Sequence, residues 1–336
     1  MRMLHFFVSL ARGVLARLGW SRIGMAGSLM LLAAALVVLC GMLRDIGLDK
    51  VLAAIRATPL DAVLGACGFV VIGYGTLTLY DYFALRAVGR REVPYSVAAV
   101  AGFTAYAIGH GLGIGLLTGG AVRLRIYSPW GLGLVEVAKM GFITGLTFWL
   151  GNISALGLAL VLAPDQAGMA TKLPPWANQA FGLLALLGVA GYIAWLRPKR
   201  RAIGAANFRL TLPDAGLTFV QIAIGILDLA VGSLAAYALL PAAPSSDYPL
   251  VAVAYVMAAL FGFLCHAPAS LGAFEVAMLV LLPQYQKEDL LASLLILHVL
   301  YLVVPLAIAL VLLCVREAAS GTVAARRHGQ VHTNAP

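Results

Sequence analysis

Two arginines interrupt an apolar part of the sequence. Arg123 and Arg125 closely follow the run Thr118-Gly119-Gly120. A guanidinium group offers planar, bidentate hydrogen bonds to phosphate oxygens, and glycines let backbone N–H groups approach a ligand. We therefore predict a phosphate-binding site made of these five residues. The alternative interpretation is that both arginines extend toward the water at the edge of a membrane.

Three carboxylates lie alone in other apolar runs. Glu275 follows Gly272-Ala273-Phe274, whereas Asp81 and Asp228 lie within two earlier stretches. A carboxylate in an apolar medium must be paired, hydrated or protonated. We predict that the three bind a cationic headgroup or couple transport to proton movement. The alternatives are that Glu275 pairs with Arg123 or caps a helix, and that the two aspartates are structural ties between helices.

Further polar residues in apolar surroundings are secondary candidates. Glu136 and Lys139 are three residues apart on one helix face, where we expect them to neutralise each other. His110, His266 and His298 are interpreted first as hydrogen-bonded core residues, with the first two kept as secondary site residues. The cysteines and histidines lack the spacing of a metal site, and no nucleotide-binding or hydrolase motif is present in the sequence, so no metal or cofactor is predicted.

The composition limits the class of protein that can position these groups. Of 336 residues, 62% are apolar and 11% are charged, against roughly 25% charged in a soluble domain; the mean hydropathy is +0.95. These values exclude a soluble enzyme, a disordered chain and a porin-like barrel. They predict an all-α polytopic membrane protein, with apolar stretches at 23–43, 60–85, 95–117, 134–163, 177–196, 214–240, 249–283 and 290–315.

The positions of the charges decide how often the chain crosses the membrane. Fifteen of the 23 lysines and arginines lie in four segments, 1–22, 86–94, 197–212 and 316–336. All four fall on the cytoplasmic side only if 95–130 and 249–283 are re-entrant hairpins and six other stretches cross fully. The net charge of +9 is therefore attributed to cytoplasmic loops and not to a nucleic-acid surface.

This topology also defines the domain organisation. We expect a basic amphipathic N-terminus at 1–22, one transmembrane domain at 23–316 and a polar tail at 317–336. Both termini are predicted to be cytoplasmic, and the oligomeric state is left open.

An internal repeat agrees with the two hairpins. Tyr95 to Gly120 and Tyr248 to Gly272 have nearly the same length, and each is preceded by a stretch with one aspartate and followed by the position of Arg123 or Glu275. The charge topology requires the two halves to have opposite orientation. Inverted repeats with broken helices are typical of transporters, whose sites lie where the broken helices meet.

The same segments resemble a known family. The stretch from Ala107 to Leu132, with its run Thr118-Gly119-Gly120-Ala121-Val122-Arg123-Leu124-Arg125-Ile126-Tyr127-Ser128, is similar to the central motif of the lysylphosphatidylglycerol synthase transmembrane-domain family. That family includes the flippase half of the bacterial multiple-peptide-resistance factor. Thr147 to Gly151 and Pro268 to Glu275 extend the resemblance, although Ala269-Ser270 departs from the family's usual Gly-Gly.

The resemblance implies a specific function. It implies a bacterial inner-membrane protein that moves aminoacylated phosphatidylglycerol, or a related phospholipid, between leaflets, and it places Asp81, Arg123 and Glu275 at positions where the family keeps charge. One alternative is the membrane part of an aminoacyl-phosphatidylglycerol synthase (a lysyltransferase) whose catalytic domain lies outside this chain. A second is a scaffold that recruits a lipid-modifying partner. We expect a transporter and not an enzyme, with phospholipid as substrate and a separate aminoacyltransferase as a partner to test.

Overall fold

The molecule is a bundle of α-helices with one very short β-hairpin. The computed structural model describes residues 48–112, 115–197, 201–204, 210–241, 247–265 and 270–316. Within these residues, five helices are long and apolar enough to cross a membrane, which confirms the predicted all-α polytopic membrane protein. The N-terminal segment 1–22, the predicted span at 23–43 and the tail 317–336 lie outside the described residues.

The helices and strands follow one another along the chain with short connections. They are α1 (Leu48–Ala57), α2 (Leu60–Ala87), α3 (Tyr95–Leu112), α4 (Gly115–Tyr127), a 3-10 turn (Ser128–Trp130), α5 (Leu134–Leu162), α6 (Pro164–Thr171), α7 (Pro175–Leu196), β1 (Ala202–Ile203), β2 (Leu210–Thr211), α8 (Ala215–Leu239), α9 (Tyr248–Leu264), α10 (Ala273–Leu281) and α11 (Lys287–His298).

The five spans are α2, α5, α7, α8 and the 30-residue helix Lys287–Arg316, in which α11 continues through a π-helical turn at Val299–Val303. We call this last helix the α11 span. Two short helices, α1 and α6, lie between the predicted apolar stretches. Helix α1 is held by Val51, which is buried against Leu291 and Ala292 at the start of the α11 span.

Local sequence signals set several helix boundaries. Asp214 caps α8, because its Oδ1 accepts a hydrogen bond from the backbone nitrogen of Leu217 at 2.8 Å. Glu136 in the first turn of α5 accepts one from the backbone nitrogen of Gly133 at 2.9 Å. Gly89, just after α2, has φ +84°, a conformation that glycine adopts at low cost and that ends the helix.

The first predicted hairpin, α3 followed by α4, enters and leaves the bundle at the same end. Arg90, in the loop after α2, donates hydrogen bonds from Nη2 to the carbonyl oxygen of Gly131 at 3.1 Å and to Glu136 Oε1 at 2.9 Å. The end of α2 therefore lies beside the start of α5, although two helices separate them in sequence. We call this side of the bundle the Arg90 end.

The second hairpin, α9 followed by α10, has the same construction. Ser293, near the start of the α11 span, donates a 2.7 Å hydrogen bond to the carbonyl oxygen of Leu239, the last residue of α8. The chain thus leaves α8 and begins the α11 span on one side of the bundle, which we call the Leu239 end. Helices α9 and α10 have 17 and 9 residues, and α10 is much shorter than the roughly 20 residues that a crossing needs.

The two halves run in opposite directions. Leu210, shortly before α8, is buried in one cluster with Leu85 of α2 and Leu132 before α5, so α8 begins at the Arg90 end where α2 finishes. Arg316, at the other terminus of the α11 span, donates a 3.3 Å hydrogen bond to the carbonyl oxygen of Ile126 at this same end. The fold is therefore an inverted repeat, as the positions of the charged loops predicted.

Equivalent contacts fix the register of the repeat. In each half, a hydroxyl on the first span bonds the tyrosine that opens the hairpin, and that tyrosine packs edge-on against a tyrosine one turn further along the span. The hydroxyl distances are 2.8 and 3.0 Å, and the ring centroids are 5.4 and 5.7 Å apart. The residues are Thr78, Tyr95 and Tyr82 in the first half and Ser233, Tyr248 and Tyr237 in the second.

This register corrects one expectation. Helix α2 begins at Leu60 and α8 at Ala215, so equivalent positions in these two spans are 155 residues apart. Asp81 therefore corresponds to Ala236, and Asp228 corresponds to Gly73. The two aspartates are not equivalent, because they lie at different depths in their helices.

The core of the bundle forms where spans approach closely. Helices α2 and α8 pack along each other at the centre, and α5 crosses α8 where two glycines meet. A Cβ atom added to Gly151 would lie 2.6 Å from the Cα atom of Gly225, and the reverse distance is 2.7 Å. Small residues allow such close contact of backbones, which membrane helices need because lipid supplies no hydrophobic force between them.

Candidate functional site

The predicted arginine site contains a buried ion pair. Arg123 on α4 donates from Nε to both oxygens of Asp81 on α2, at 3.0 and 2.9 Å, and from Nη2 to Oδ1 at 2.6 Å. Asp81 is fully buried and Arg123 is 5% exposed. The guanidinium therefore uses its planar geometry on a carboxylate of the protein.

Neighbouring groups complete the surroundings of this pair. The hydroxyl of Tyr127 donates to Asp81 Oδ2 at 3.0 Å, and the guanidinium carbon of Arg123 lies 5.0 Å from the centre of the Tyr106 ring. Two glycines let the hairpin approach: a Cβ on Gly102 would lie 3.3 Å from the Asp81 Cβ, and one on Gly119 would lie 3.0 Å from the carbonyl oxygen of Ala105. The hairpin and α2 are thus joined at the charge pair.

Glu275 forms a second buried charged group, on the other hairpin. It is fully buried in the first turn of α10, where Oε2 accepts a 2.7 Å hydrogen bond from the backbone nitrogen of Gly272. Its Oε1 lies 3.0 Å from Nδ1 of His298. That nitrogen also lies 3.1 Å from the carbonyl oxygen of Leu294. Because Oε1 has no well-directed hydrogen bond among the described residues, we interpret the histidine contact as electrostatic.

These contacts contradict the alternative in which Arg123 pairs with Glu275. Each of the two has a different partner, and each partner lies on the span adjoining its own hairpin: Asp81 on α2 and His298 on α11. The two charged groups are both buried, but they form two separate centres. The capping interpretation of Glu275 holds, since it closes the first turn of α10.

Asp228 lies at the α2–α8 contact, between the two hairpins. Its Oδ1 is 3.3 Å from the hydroxyl of Thr76 on α2 and 3.4 Å from the hydroxyl of Tyr301 in the π-helical turn. The described residues that surround this carboxyl group therefore offer it hydroxyls and not a cation.

Glu136 and Lys139 do not form the expected pair. Glu136 bonds instead to Arg90 across the mouth of the first hairpin and to the backbone of its own helix. Hydrogen bonds to Glu136 and Glu92 raise the pKa of Arg90 above its ordinary value. The expected neutralisation was wrong because a residue on another loop, brought close by the hairpin, reaches Glu136. Lys139 is half-buried on the same helix.

The remaining predicted residues lie around the first hairpin. Thr118 and Gly120 are half-buried, Gly119 is buried and Arg125 is exposed on α4. His110, at the last turn of α3, is exposed, and its ring centre lies 5.8 Å from that of Tyr106. His266 lies outside the described residues.

Sequence reasoning missed several residues of these centres. Tyr106, Tyr127 and Tyr301 contact the charged groups, but tyrosines are common at the ends of membrane helices and give no distinct signal. Arg90 was assigned only to a basic loop. Tyr127 could have been found, since it follows Arg123 by one helical turn and therefore shares its face.

Comparison with known proteins shows the family to which the chain belongs. No family model matches the chain, so the resemblance to the lysylphosphatidylglycerol synthase transmembrane domain stays a prediction. The chain is 31% identical over 274 residues to the uncharacterized protein slr0712 of Synechocystis sp., covering 79% of this chain and 82% of that protein. It is 26% identical over 282 residues to the inner membrane protein YbhN of Escherichia coli, covering 83% and 87% of the two chains.

Proposed function

We propose that this chain, which belongs to the family of the Synechocystis protein slr0712, is a transporter that moves a phospholipid between the leaflets of the inner membrane. The observation that carries the proposal is the pair of inverted hairpins, each with a buried charged centre. Hairpins that enter from opposite ends provide two sides of access to one bundle, which is the arrangement that alternating-access transporters use.

The charge distribution supports an orientation for this transporter. Arg86, Arg90, Arg91, Arg201 and Arg316 all lie at the Arg90 end of the described structure. The Leu239 end carries six acidic and four basic residues, which are Asp49, Asp61, Asp165, Asp247, Glu288 and Asp289 together with Lys50, Arg56, Lys172 and Lys287. The positive-inside rule then places the Arg90 end in the cytoplasm. The first hairpin would open inward and the second outward.

The Asp81–Arg123 pair supports an anionic headgroup as substrate. A phosphate can replace a carboxylate as the bidentate partner of a guanidinium, because both present two oxygens in a plane. In this mechanism the lipid phosphate competes with Asp81 for Arg123, and Asp81 holds the arginine when no lipid is bound. Arg125 lies two residues after Arg123 on α4 and is exposed. Its charge would attract the phosphate to the hairpin. The acyl tails remain in the bilayer during the exchange.

The centre on the second hairpin supports a cationic part of the headgroup. Glu275 holds a buried oxygen that lacks a well-directed hydrogen bond among the described residues. Such an oxygen is costly to leave unsatisfied and would gain from an ammonium donor. An aminoacylated lipid carries such an ammonium together with its phosphate, and this combination agrees with the lipid class that the sequence resemblance implies.

Reconstitution in liposomes tests the proposal. Phosphatidylglycerol carrying a fluorescent label is quenched by an impermeant reductant only in the outer leaflet, so transport raises the quenched fraction. We expect the wild type and the exposed-residue control Arg56→Gln to move the lipid, and Arg123→Gln to stop it.

Because an unpaired Asp81 could unfold the single variant, Asp81→Asn/Arg123→Gln is measured beside it. This double variant removes both charges and should be folded but inactive. Equal rates for the wild type and the folded double variant would contradict the mechanism. Equal rates for wild-type and protein-free liposomes would contradict the function itself.

A further inference from the structure

Asp228 is set apart from the other buried acids by what surrounds it. It lies near the middle of the 25-residue span α8. Asp81 and Glu275 each contact a basic side chain. Among the described residues, no lysine, arginine or histidine forms an ion pair with Asp228. An ionised carboxylate at this depth is costly without a partner.

Two of the hydroxyl hydrogens near Asp228 are committed to backbone carbonyl oxygens, whereas the Tyr301 hydroxyl donates to the carboxyl group itself at 3.4 Å. Thr76 Oγ1 lies 2.6 Å from the carbonyl oxygen of Gly73, closer than its 3.3 Å distance to Asp228. Tyr74 donates its hydrogen to the backbone carbonyl oxygen of Tyr301 at 2.8 Å. Since a hydroxyl has one hydrogen and two acceptor lone pairs, Thr76 presents a lone pair to the carboxyl group. A protonated Asp228 can donate a hydrogen bond to that lone pair. In the ionised state, the carboxylate oxygen and the Thr76 oxygen would both be acceptors and would repel each other.

The titratable groups that interact electrostatically with Asp228 come from four packed helices and are all phenols. They are Tyr74 and Tyr80 of α2, Tyr106 of α3, Tyr255 of α9 and Tyr301 of the α11 span. A phenol hydroxyl can donate to a carboxylate or accept from a carboxyl by rotating its hydrogen, with no movement of heavier atoms. This shell can therefore serve both protonation states of Asp228.

Two rows of aromatic rings connect Asp228 to the charged centres of both hairpins. On one side, the Tyr80 ring lies 5.8 Å from that of Tyr106, which faces the Arg123 guanidinium at 5.0 Å. On the other side, Tyr255 lies 5.5 Å from Phe274, whose ring is 5.9 Å from that of His298. The carboxyl group thus occupies the position where the two halves of the repeat meet.

The helix geometry at Tyr301 is also unusual. This tyrosine lies in the π-helical turn Val299–Val303, whereas the equivalent span α5 is α-helical from Leu134 to Leu162. Single π-helical turns within α-helices occur frequently at functional sites. Here the turn supplies the hydroxyl nearest to Asp228 from the α11 span.

We propose that the carboxyl group of Asp228 is a proton-binding site, and that both hairpins sense its protonation through the Tyr80–Tyr106 and Tyr255–Phe274 contacts. The proton comes from the aqueous phase and returns to it, and no other bond changes. Protonation removes one negative charge from the bundle centre and reverses the hydrogen bonds of the phenol shell. The use of this site to couple a pH gradient to transport rests on the proposed function, but proton binding itself does not.

Infrared spectroscopy of the full chain in lipid nanodiscs tests proton binding directly. We expect the difference spectrum between acidic and alkaline buffer to contain the carbonyl stretch of a protonated carboxyl, shifted in deuterated water. This band should be absent in Asp228→Asn, which keeps a hydrogen-bonding side chain, and should return at another frequency in Asp228→Glu. The control Asp214→Asn, at the cap of the same helix, should retain it. A spectrum of Asp228→Asn identical to that of the wild type would overturn the site.

The native Cys265, half-buried and free at the end of α9, reports on the second hairpin. The measurement uses a background in which Cys40, Cys67 and Cys314 are alanine. The maleimide labelling rate of Cys265 is divided by that of glutathione at the same pH, which corrects for the general effect of pH on the reactivity of thiols. We expect this ratio to change several-fold with pH in the background protein and to be constant in Asp228→Asn. A pH profile that is flat in the background, or unchanged by the substitution, would overturn the sensing. Neither measurement requires lipid transport, so failure of the proposed function would leave both interpretable.

Discussion

Asp81 and Arg123 lie 42 residues apart in sequence and are joined by three hydrogen-bond contacts inside the bundle. Removing two charges from water costs several kcal/mol per ion, and the attraction between them offsets this only when the geometry is good. The pair is therefore a weak source of stability, but breaking it leaves one buried charge uncompensated. This asymmetry makes the pair suitable for a switch in which a ligand takes the place of one partner.

Single substitutions in this pair should be much more harmful than the double substitution. We expect Asp81→Asn and Arg123→Gln each to lower the free energy of unfolding by about 3–5 kcal/mol, because each leaves an unpaired charge. Asp81→Asn/Arg123→Gln should cost less than the sum of the two. Unfolding in mixed micelles followed by circular dichroism measures all three. Additive losses would mean that the two side chains do not interact.

Tyr127 should contribute through its hydroxyl alone. The substitution Tyr127→Phe removes the hydrogen bond to Asp81 and keeps the ring, which is fully buried. Hydrogen bonds to charged groups are worth about 1.5–3 kcal/mol, so we expect a loss of that size in the same unfolding assay. Tyr82→Phe is the matched control, because its hydroxyl bonds to Arg86 in an exposed pair, where about 1 kcal/mol or less is expected. Equal losses for the two variants would contradict the assigned role.

The residues that could be predicted from sequence are those whose burial is expensive. Asp81, Arg123 and Glu275 were identified because a charge in an apolar run is costly to bury and therefore indicates a functional or structural role. Which residues pair with one another could not be predicted, because pairing depends on which helices the fold brings together. The expected Glu136–Lys139 contact shows this limit, since helix spacing alone could not reveal that Arg90 crosses the mouth of the hairpin to reach Glu136.

At the scale of the helices, the hairpins were predictable because the positions of the basic loops limit how many times the chain can cross the membrane. The basic segments share one side only if 95–130 and 249–283 return to where they entered, and the contacts of Arg90 and Ser293 confirm that they do. The register between the halves was not predictable. Asp81 and Asp228 look equivalent in sequence, but the tyrosine contacts that open each hairpin place them at different depths.

The α5–α8 crossing should tolerate no added methyl group. In Gly151→Ala the new Cβ would lie 2.6 Å from the Gly225 backbone, and neither helix can yield without moving a span. Overpacking of this kind costs typically 1–3 kcal/mol. Gly145→Ala lies on the same helix and has no neighbour within 4 Å, so it should be neutral or slightly stabilising, since alanine favours helix over glycine. A Gly151→Ala variant as stable as Gly145→Ala would contradict the close contact of α5 and α8 at this point.

For the whole molecule, the inverted repeat explains why the described part of the bundle has two separate charged centres. Each half brings its own charged group into the interior on a hairpin, and the halves meet at α2 and α8. In the proposed transport mechanism, a two-fold arrangement of this kind has two nearly equivalent states, in which one hairpin or the other gives access. The unequal pair at the meeting point, Asp228 opposite the position of Gly73, would break this equivalence and give the two states different energies.

The inverted arrangement makes a specific prediction about sidedness. In a background without native cysteines, Arg91→Cys and Ser128→Cys flank the first hairpin, and both should react with an impermeant maleimide only from the cytoplasmic side. Lys172→Cys and Lys287→Cys lie at the opposite end and should react only from the outside. If the segment from α3 to α4 crossed the membrane once instead of returning, positions 91 and 128 would label from opposite sides. Labelling of intact cells and inverted vesicles distinguishes the two outcomes. The cytoplasmic assignment of the Arg90 end follows from its arginines, and outside labelling of both positions 91 and 128 would reverse the orientation while preserving the hairpin.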